Sequence, residues 1–406
     1  MQVRTWGLFL PILLSGQDTL RFMAYNLLRY GATPGYCDIR CKDAQLRTIL
    51  SYVRPHVIGF NEIAPSPGLF RRLLDSVLNI GGITYWRSSS YSNPSNSDIV
   101  NGLFYDSRRL GWLRQDLITT QGGLRDIYAY HLYYLEPTLA QTQDTLFLIA
   151  IVSHLKAGNT PADAQTRSQA ALQIQQYIEN LPLQRRRFVV EMGDHNLYGA
   201  GEMAYQTLTQ TLVDPGPAGP WSGNPAYAFF HTQSTRVQSL ADGGSGGGMD
   251  DRFDFIFFSP SCTTQSGKAR YIPGSLRAVG QDGQRFKQAL TSPPLPSGYS
   301  AALINALYAM SDHLPVIADF ALSVVPAATS LQTASSLPLS ISVNKGELAL
   351  EAQQPISFRL VDVWGKEQHK GSLSAGETLQ LVLPSGIYLL QIFSPVAETM
   401  RIVLFP

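Results

Sequence analysis

Along residues 20–322, short apolar runs alternate with longer stretches of mixed polarity. The apolar runs have the length and the β-branched and aromatic content of strands, and they cover residues 20–26, 57–62, 101–106, 145–155, 187–194, 252–259 and 314–322. Between them, apolar residues recur at helical spacing in residues 41–55, 68–81 and 161–182. Strands that alternate with helices in this way predict an α/β domain.

The pattern changes after residue 323. Residues 324–337 are rich in Ser, Thr and Ala, include Pro326 and carry no charge, which is the composition of a linker. Beyond it, apolar and polar residues alternate between Gly and Asn turns, as they do in short strands. We therefore predict a first domain over residues 17–323, a linker over 324–337 and a small all-β sandwich over 338–406.

A long segment of the first domain, residues 214–249, is too rich in Gly and Pro for regular structure and too aromatic for a plain linker. Long loops inside compact domains usually carry function, so we expect a functional loop here.

The N-terminus has the pattern of a secretory signal peptide. Arg4 precedes an apolar run over residues 6–14, and two small residues follow. The alternative is a buried first strand, which Pro11 inside the run disfavours. We predict that residues 1–16 are removed. No other stretch approaches the ~20 apolar residues of a membrane span, so we expect the mature protein to lack a membrane span. We also expect it to be a monomer.

Charge and cysteine content narrow the range of functions. The chain has 31 Lys and Arg against 30 Asp and Glu, a net charge of +1, so any contact with nucleic acid or an anionic membrane needs a local basic patch. Cys37 and Cys41 either close a small disulfide loop or remain free thiols, and Cys262 is left unpaired. No His or Cys cluster lies near them, which disfavours zinc.

Several predicted strands begin or end in polar residues that a strand core does not need. Each one alone is typical of a turn cap or a solvated strand end. Together they indicate one cleft lined from many parts of the chain. The residues are Asn26, Glu62, His154, Asp194, Asn196, Arg252, Asp254, Asp312 and His313.

This mixture of side chains favours phosphoryl transfer. Carboxylates and carboxamides are the oxygen ligands that Mg²⁺ or Mn²⁺ prefers, and imidazoles beside carboxylates suit acid–base catalysis near neutral pH. A metal would neutralise charge on a phosphate while a base takes a proton from water. The chain lacks a GxGxxG motif, a Walker loop and a GxSxG elbow, so dinucleotide, triphosphate and serine-hydrolase chemistry have no support.

In chain order, the segments AYN, GFNE, SHLKAG, GDHN, DRFDFIFFS and SDHLPV resemble the ordered motifs of the endonuclease/exonuclease/phosphatase superfamily. That superfamily includes pancreatic-type deoxyribonucleases, abasic-site endonucleases, neutral sphingomyelinases and inositol polyphosphate phosphatases. The resemblance covers residues 20–320. It implies a four-layer α-β-β-α sandwich with the active site at one edge.

The resemblance also implies a role for each matching residue. The metal ligands would be Asn26, Glu62 and Asp312, and the catalytic residues would be His154, Asp194, Asn196, Asp254 and His313. Asp254 would orient His313, and either Asp194 or His313 would accept the proton. The substrate-binding residues would be Lys156, Arg252, His231 and Arg236.

The sequence departs from the superfamily pattern at three places. Asn61 stands where Gln is usual before the metal-binding Glu, and His195 stands where Phe is usual in the GDFN motif. No clear match exists for the acidic partner of the first histidine, for which Asp98 is the candidate.

The C-terminal unit resembles the sorting domain that directs cargo to the type IX secretion system of Bacteroidetes-type bacteria. The segments FRLVDVWGKEQHKGSL and SGIYLLQIFS carry this resemblance, whereas the RIVLFP end departs from the usual lysine-rich terminus. A carbohydrate-binding module or a plain β-sandwich would show similar alternation. With the leader, the resemblance implies export to the cell surface or the medium by the type IX machinery.

We therefore predict a secreted phosphodiesterase that depends on Mg²⁺ or Mn²⁺, with nucleic acid as substrate. The aromatic and basic residues of the 214–249 loop are suited to stacking on bases. Two alternatives stay open: a phosphodiesterase or phosphatase acting on lipid or inositol headgroups, and a binding module with an inactive site.

Overall fold

The chain folds into two compact units that divide between residues 327 and 328. The predicted leader, residues 1–16, and the predicted linker, residues 324–337, lie outside the described residues. A computed structural model describes residues 18–32, 35–136, 145–264, 268–323, 339–344, 347–362, 366–383, 386–394 and 398–404.

The first unit contains two β-sheets. The larger sheet has, in spatial order, β10 (Ala269–Tyr271), β12 (Val316–Leu322), β1 (Asp18–Tyr30), β2 (Val57–Ile63), β4 (Val100–Asp106) and β3 (Trp86–Ser88), and β11 (Arg277–Ala278) pairs with β12. The smaller sheet has β5 (Leu110–Thr119), β6 (Ile127–Tyr134), β7 (Phe147–His154), β8 (Val189–Asp194) and β9 (Asp254–Phe258). Parallel pairing occurs between β1 and β2 and between β7 and β8.

The α-helices among the described residues of this unit are α1 (Ile39–Val53), α2 (Pro67–Arg72), α3 (Pro161–Asn180), α4 (Met203–Thr211) and α5 (Ala301–Met310). A π-helical turn, Leu73–Leu78, continues α2. The α3 helix starts at a capping box in which Thr160 and Asp163 satisfy each other's backbone N–H groups. No helix in the described part of the chain is both long and apolar enough to cross a membrane.

Apolar side chains of both sheets form one hydrophobic cluster, to which α1 and α5 also contribute. The sheets approach closely at Gly59 of β2, where an added Cβ would lie 3.1 Å from Val152 and 3.2 Å from Met192. A second cluster joins α3 and α4 to residues of the smaller sheet, and Trp221 of the long loop is fully buried in it. The predicted mixed α/β fold is thus confirmed.

The described residues of the second unit form two antiparallel sheets without a helix. One sheet has β13 (Leu339–Asn344), β14 (Glu347–Ala352) and β17 (Thr378–Val382), and the other has β16 (Glu367–Leu373), β15 (Ile356–Asp362), β18 (Gly386–Ser394) and β19 (Glu398–Leu404). Leu348 and Leu350 of the first sheet share a core with Phe358 and Leu360 of the second.

The structure decides between the disulfide and the two free thiols that the sequence left open for Cys37 and Cys41. Cys37 and Cys41 form a disulfide at the start of α1. Cys262 is a buried free thiol.

Candidate active site

Three ionisable side chains stand side by side at one end of the smaller sheet. His154 ends β7, Asp194 ends β8 and Asp254 begins β9. The register pairs His154 with Asp194 and Asp194 with Asp254. The carboxyl ends of two parallel strands meet the amino end of their antiparallel neighbour at the same edge, so strand pairing alone brings these groups together.

The larger sheet contributes Asn26 from β1 and Glu62 from β2. Asn26 Nδ2 donates to Glu62 Oε1 at 3.1 Å and to Asp194 Oδ2 at 3.0 Å, and so it links the two sheets. Ser311 Oγ donates to the carbonyl of Asn26 and ties the segment before β12 to the same place. The site therefore lies where the ends of the two sheets meet.

The turn after β8 aims Asp194 into this cleft. Gly193 has φ +144°, and a Cβ there would lie 1.9 Å from the Ser153 carbonyl oxygen, so only Gly fits between β7 and β8. Asn61 braces the turn, because its Oδ1 accepts from Asp194 N–H and its Nδ2 donates to the Ser153 carbonyl. Asn196, at φ +49°, donates its N–H to Asp194 Oδ1 at 3.1 Å.

His195, the residue that departs from the superfamily pattern, packs edge-on against the stacked rings of Phe255 and Phe257. Its Nε2 lies 2.7 Å from Glu191 Oε2, and both side chains are fully buried. Burial opposes the charged imidazole, but Glu191 outweighs it and raises the pKa of His195. The position takes a His because a buried carboxylate pairs with it.

Glu62, His154 and Asp194 form a group able to hold a metal ion. One ligand atom from each lies within 4.8 Å of the others. His154 Nε2 is 3.4 Å from Asp194 Oδ2 and 3.9 Å from Glu62 Oε1. A single carboxamide, that of Asn26, bridges the two carboxylates, and a divalent cation would relieve their repulsion. Two carboxylates and one imidazole suit Mn²⁺ and also Mg²⁺ with retained waters.

Of the three metal ligands predicted from the sequence, Glu62 belongs to this group of acidic and imidazole side chains. Asn26 lies beside it, with Oδ1 accepting the Leu28 N–H and Nδ2 donating to Glu62 and Asp194. Asp312 Oδ2 accepts from Gln233 Nε2 and from the Ser245 N–H, and its Oδ1 is buried without a hydrogen-bond partner among the described residues.

Asp254 and His313 form the predicted carboxylate–imidazole pair. His313 Nδ1 is 2.7 Å from Asp254 Oδ2, and both residues are buried. His313 Nε2 points toward Asp194, with Oδ2 at 3.7 Å. The pair therefore lies next to the three side chains that could hold a metal ion.

Gln233, which the sequence analysis did not single out, contacts the Asp254–His313 pair at Nε2 of His313. Its Nε2 donates to Asp312 Oδ2 at 3.0 Å and lies 2.7 Å from His313 Nε2. The signal was present in the sequence, because Gln233 lies in the loop predicted to be functional.

Burial and neighbouring charge set the pKa values of the site. Burial raises the pKa of Asp194 to about 7, although His313 opposes this shift. Burial lowers the pKa of His154 well below its usual value, so the ring is neutral and able to bind a cation. For His313, burial acts downward, but Asp254, Asp194 and Asp312 outweigh it and raise the pKa well above normal.

Three residues predicted to bind substrate lie in the protein interior instead. Both ring nitrogens of His231 bond to backbone carbonyls. Arg236 pairs with Asp242 at 2.6 Å and Arg252 with Asp214 at 2.6 Å. These side chains are 0 to 2% exposed, so they hold the long loop in place and do not face a ligand.

Lys156 and Asp98, two further residues that the sequence analysis named, both form ion pairs in the structure. Lys156 Nζ binds Asp163 at 2.8 Å and so fastens the segment after β7 to the start of α3. Asp98, the candidate partner of His154, instead forms an exposed ion pair with Arg29. His154 Nδ1 is buried without a partner among the described residues.

No family model and no curated protein matches the sequence. Similar solved structures include TDP2 from D. rerio in complex with a single-strand DNA product, 15% identical over 75% of this chain and 99% of that chain, with a TM-score of 0.46. They also include an endonuclease/exonuclease/phosphatase from Bacteroides vulgatus, 16% identical over 75% of this chain and 99% of that chain, TM-score 0.45. The human Nocturnin catalytic domain with bound sulfate is 15% identical over 75% of this chain and 97% of that chain, TM-score 0.44.

Proposed function

We propose that this protein is a metal-dependent phosphodiesterase with the layered α-β-β-α architecture of the deoxyribonucleases. The observation that carries the proposal is the close approach of three possible metal ligands to a carboxylate–imidazole pair. Glu62, His154 and Asp194 stand on one side, and the Asp254–His313 pair stands on the other, with 3.7 Å between His313 Nε2 and Asp194 Oδ2.

In this proposal, Glu62, His154 and Asp194 would hold a divalent cation, which would neutralise charge on a bound phosphate. The cation would also offset the Asp194 charge, one of those that raise the pKa of His313, and so favour the neutral ring. The neutral His313 takes a proton from the attacking water through Nε2, with Nδ1 held by Asp254. Asp254 stabilises the imidazolium that results. Asn196, held against the Asp194 turn, orients the phosphate.

We propose nucleic acid as the substrate. The loop that delivers Gln233 to the site also carries Phe229, which is 49% exposed, on the short helical turn Pro225–Phe230. An exposed ring on the loop that reaches the site is suited to stacking on a base.

A panel of substrates with Mg²⁺ or Mn²⁺ tests this function. We expect hydrolysis of single-stranded DNA, double-stranded DNA or RNA, and little action on sphingomyelin or inositol phosphates. His313→Ala is the control for contaminating nucleases, and its activity should be lower than that of wild type by about 100-fold or more. Hydrolysis of the lipid or inositol substrates alone would move the proposal to the headgroup alternative. If wild type and His313→Ala were equally active or equally inactive on every substrate, the proposal would fail.

We also propose that the second unit is a sorting module read by the type IX machinery and that the protein is secreted or displayed at the cell surface. The separate core of the second unit, in which both of its sheets share apolar residues, supports a module that folds by itself.

A further inference from the structure

The fully buried arginines in the described part of the first unit all have carboxylate partners. Each of those pairs with a carboxylate at 3.3 Å or less: Arg167 with Glu202, Arg236 with Asp242, Arg252 with Asp214 and Arg285 with Asp282. Arg125 is half-buried and forms no ion pair with any carboxylate in the part of the chain that the structure describes. Its one side-chain hydrogen bond there runs from Nη1 to the Leu155 carbonyl, at 2.7 Å.

The position of Arg125 is set by the active-site strand. Leu155 follows His154 directly, and its carbonyl also accepts from Asn196 Nδ2 at 3.3 Å. Gln121 Nε2 donates to the carbonyls of both His154 and Arg125 and so fastens the β5–β6 turn to the end of β7. The guanidinium is therefore held beside the side chains proposed to handle the phosphate.

The contact with the Leu155 carbonyl places Arg125 beside the same cleft. Burial lowers the pKa of Arg125 from its ordinary value, and the carboxylates of Asp194, Glu62 and Asp98 oppose this shift. A partly desolvated cation without a counter-ion is unfavourable unless a ligand supplies the negative charge. A guanidinium has five N–H donors, and the protein occupies one of them, so four remain for an anion.

We propose that Arg125 binds a non-bridging oxygen of the substrate's phosphate group. The ligand class is a phosphodiester monoanion, which the planar guanidinium recognises with two parallel N–H donors. The inference rests on the proposed function. It assigns to Arg125 the contact that the sequence analysis gave to Arg236 and Arg252.

The test compares wild type with Arg125→Gln, Arg125→Lys and the control Arg114→Gln. Arg114 lies on β5 and is 57% exposed beside Asp116, so its variant removes the same charge from the surface of the same sheet. Two quantities are measured with Mg²⁺ present: kcat/KM for bis(p-nitrophenyl) phosphate, and the Kd of inorganic phosphate by titration calorimetry. Thermal unfolding of each variant reports on folding.

Arg125→Gln should lower kcat/KM by about 10- to 100-fold and raise the phosphate Kd by a similar factor, since a charge-assisted hydrogen bond is lost. Arg125→Lys should recover part of both, because charge returns without the fork geometry. The control should stay within about twofold on both measurements, as expected for an exposed ion pair.

An unchanged phosphate Kd in Arg125→Gln would overturn the inference. So would equal losses in the Gln and Lys variants together with a large fall in melting temperature, since that result describes a structural role. If wild type cleaves no phosphodiester yet Arg125→Gln still weakens phosphate binding, the proposed function fails and this inference stands.

Discussion

Replacing Asp254 with Asn tests whether Asp254 and His313 act together as a catalytic pair. The substitution keeps the size and most of the hydrogen-bonding capacity of the side chain and removes its charge. If His313 becomes an imidazolium in the transition state, the loss should fall on kcat, because the interaction strengthens as the proton moves.

The geometry sets the magnitude. Unit charges separated by the 2.7 Å between His313 Nδ1 and Asp254 Oδ2 attract by about 6 kcal/mol at an effective dielectric constant of ~20. A neutral hydrogen bond from Asn retains about 1 kcal/mol of this. The remaining loss, roughly 4 to 5 kcal/mol, corresponds to a fall in kcat of about 10³-fold.

The assay measures kcat, KM and melting temperature for Asp254→Asn, His313→Ala and the double variant. Residues that act as a unit lose activity together, so the double variant should be little worse than either single one. KM should change little. Additive losses in log kcat, or a fully active Asp254→Asn enzyme, would refute the pairing. Falls in melting temperature that account for the lost activity would indicate a structural role instead.

Three further predictions address the metal, the buried charge and the two units. Chelation should abolish activity and Mg²⁺ or Mn²⁺ should restore it, with Glu62→Gln needing at least ~10-fold more metal for half-maximal rate; full activity in excess chelator would exclude the metal. Burial lowers the pKa of Lys42 to about 8, so above that pH the unfolded chain binds more protons than the folded one. In denaturant titrations, the free energy of unfolding of wild type should therefore rise by about 2 kcal/mol relative to Lys42→Met between about pH 7 and 9.5. A difference between the two proteins that does not depend on pH would contradict this. Removal of residues 328–406 should leave melting and kcat of the first unit unchanged while the protein accumulates inside the cell; normal export of the truncated protein would argue against a sorting module.

Local pattern was enough to locate most strands and the long helices. The α3 helix matches its prediction to within two residues, because Pro161 and the Thr160–Asp163 capping box mark its start in the sequence itself. The β5 strand was missed, because it is a largely exposed edge strand with charged residues such as Arg114 and Asp116, and it lacks the apolar run of a central strand.

The sequence by itself determined the strand-end group, because polar residues next to buried strands are visible as breaks in the apolar pattern and strand pairing then aligns them at one edge. Only the tertiary structure decided which arginines are neutralised by carboxylates. Arg236 and Arg252 carry the same side chain as Arg125, but carboxylates at residues 242 and 214 neutralise the first two, and no described carboxylate pairs with the third. The availability of a charge depends on partners brought close by folding, so local pattern cannot reveal it.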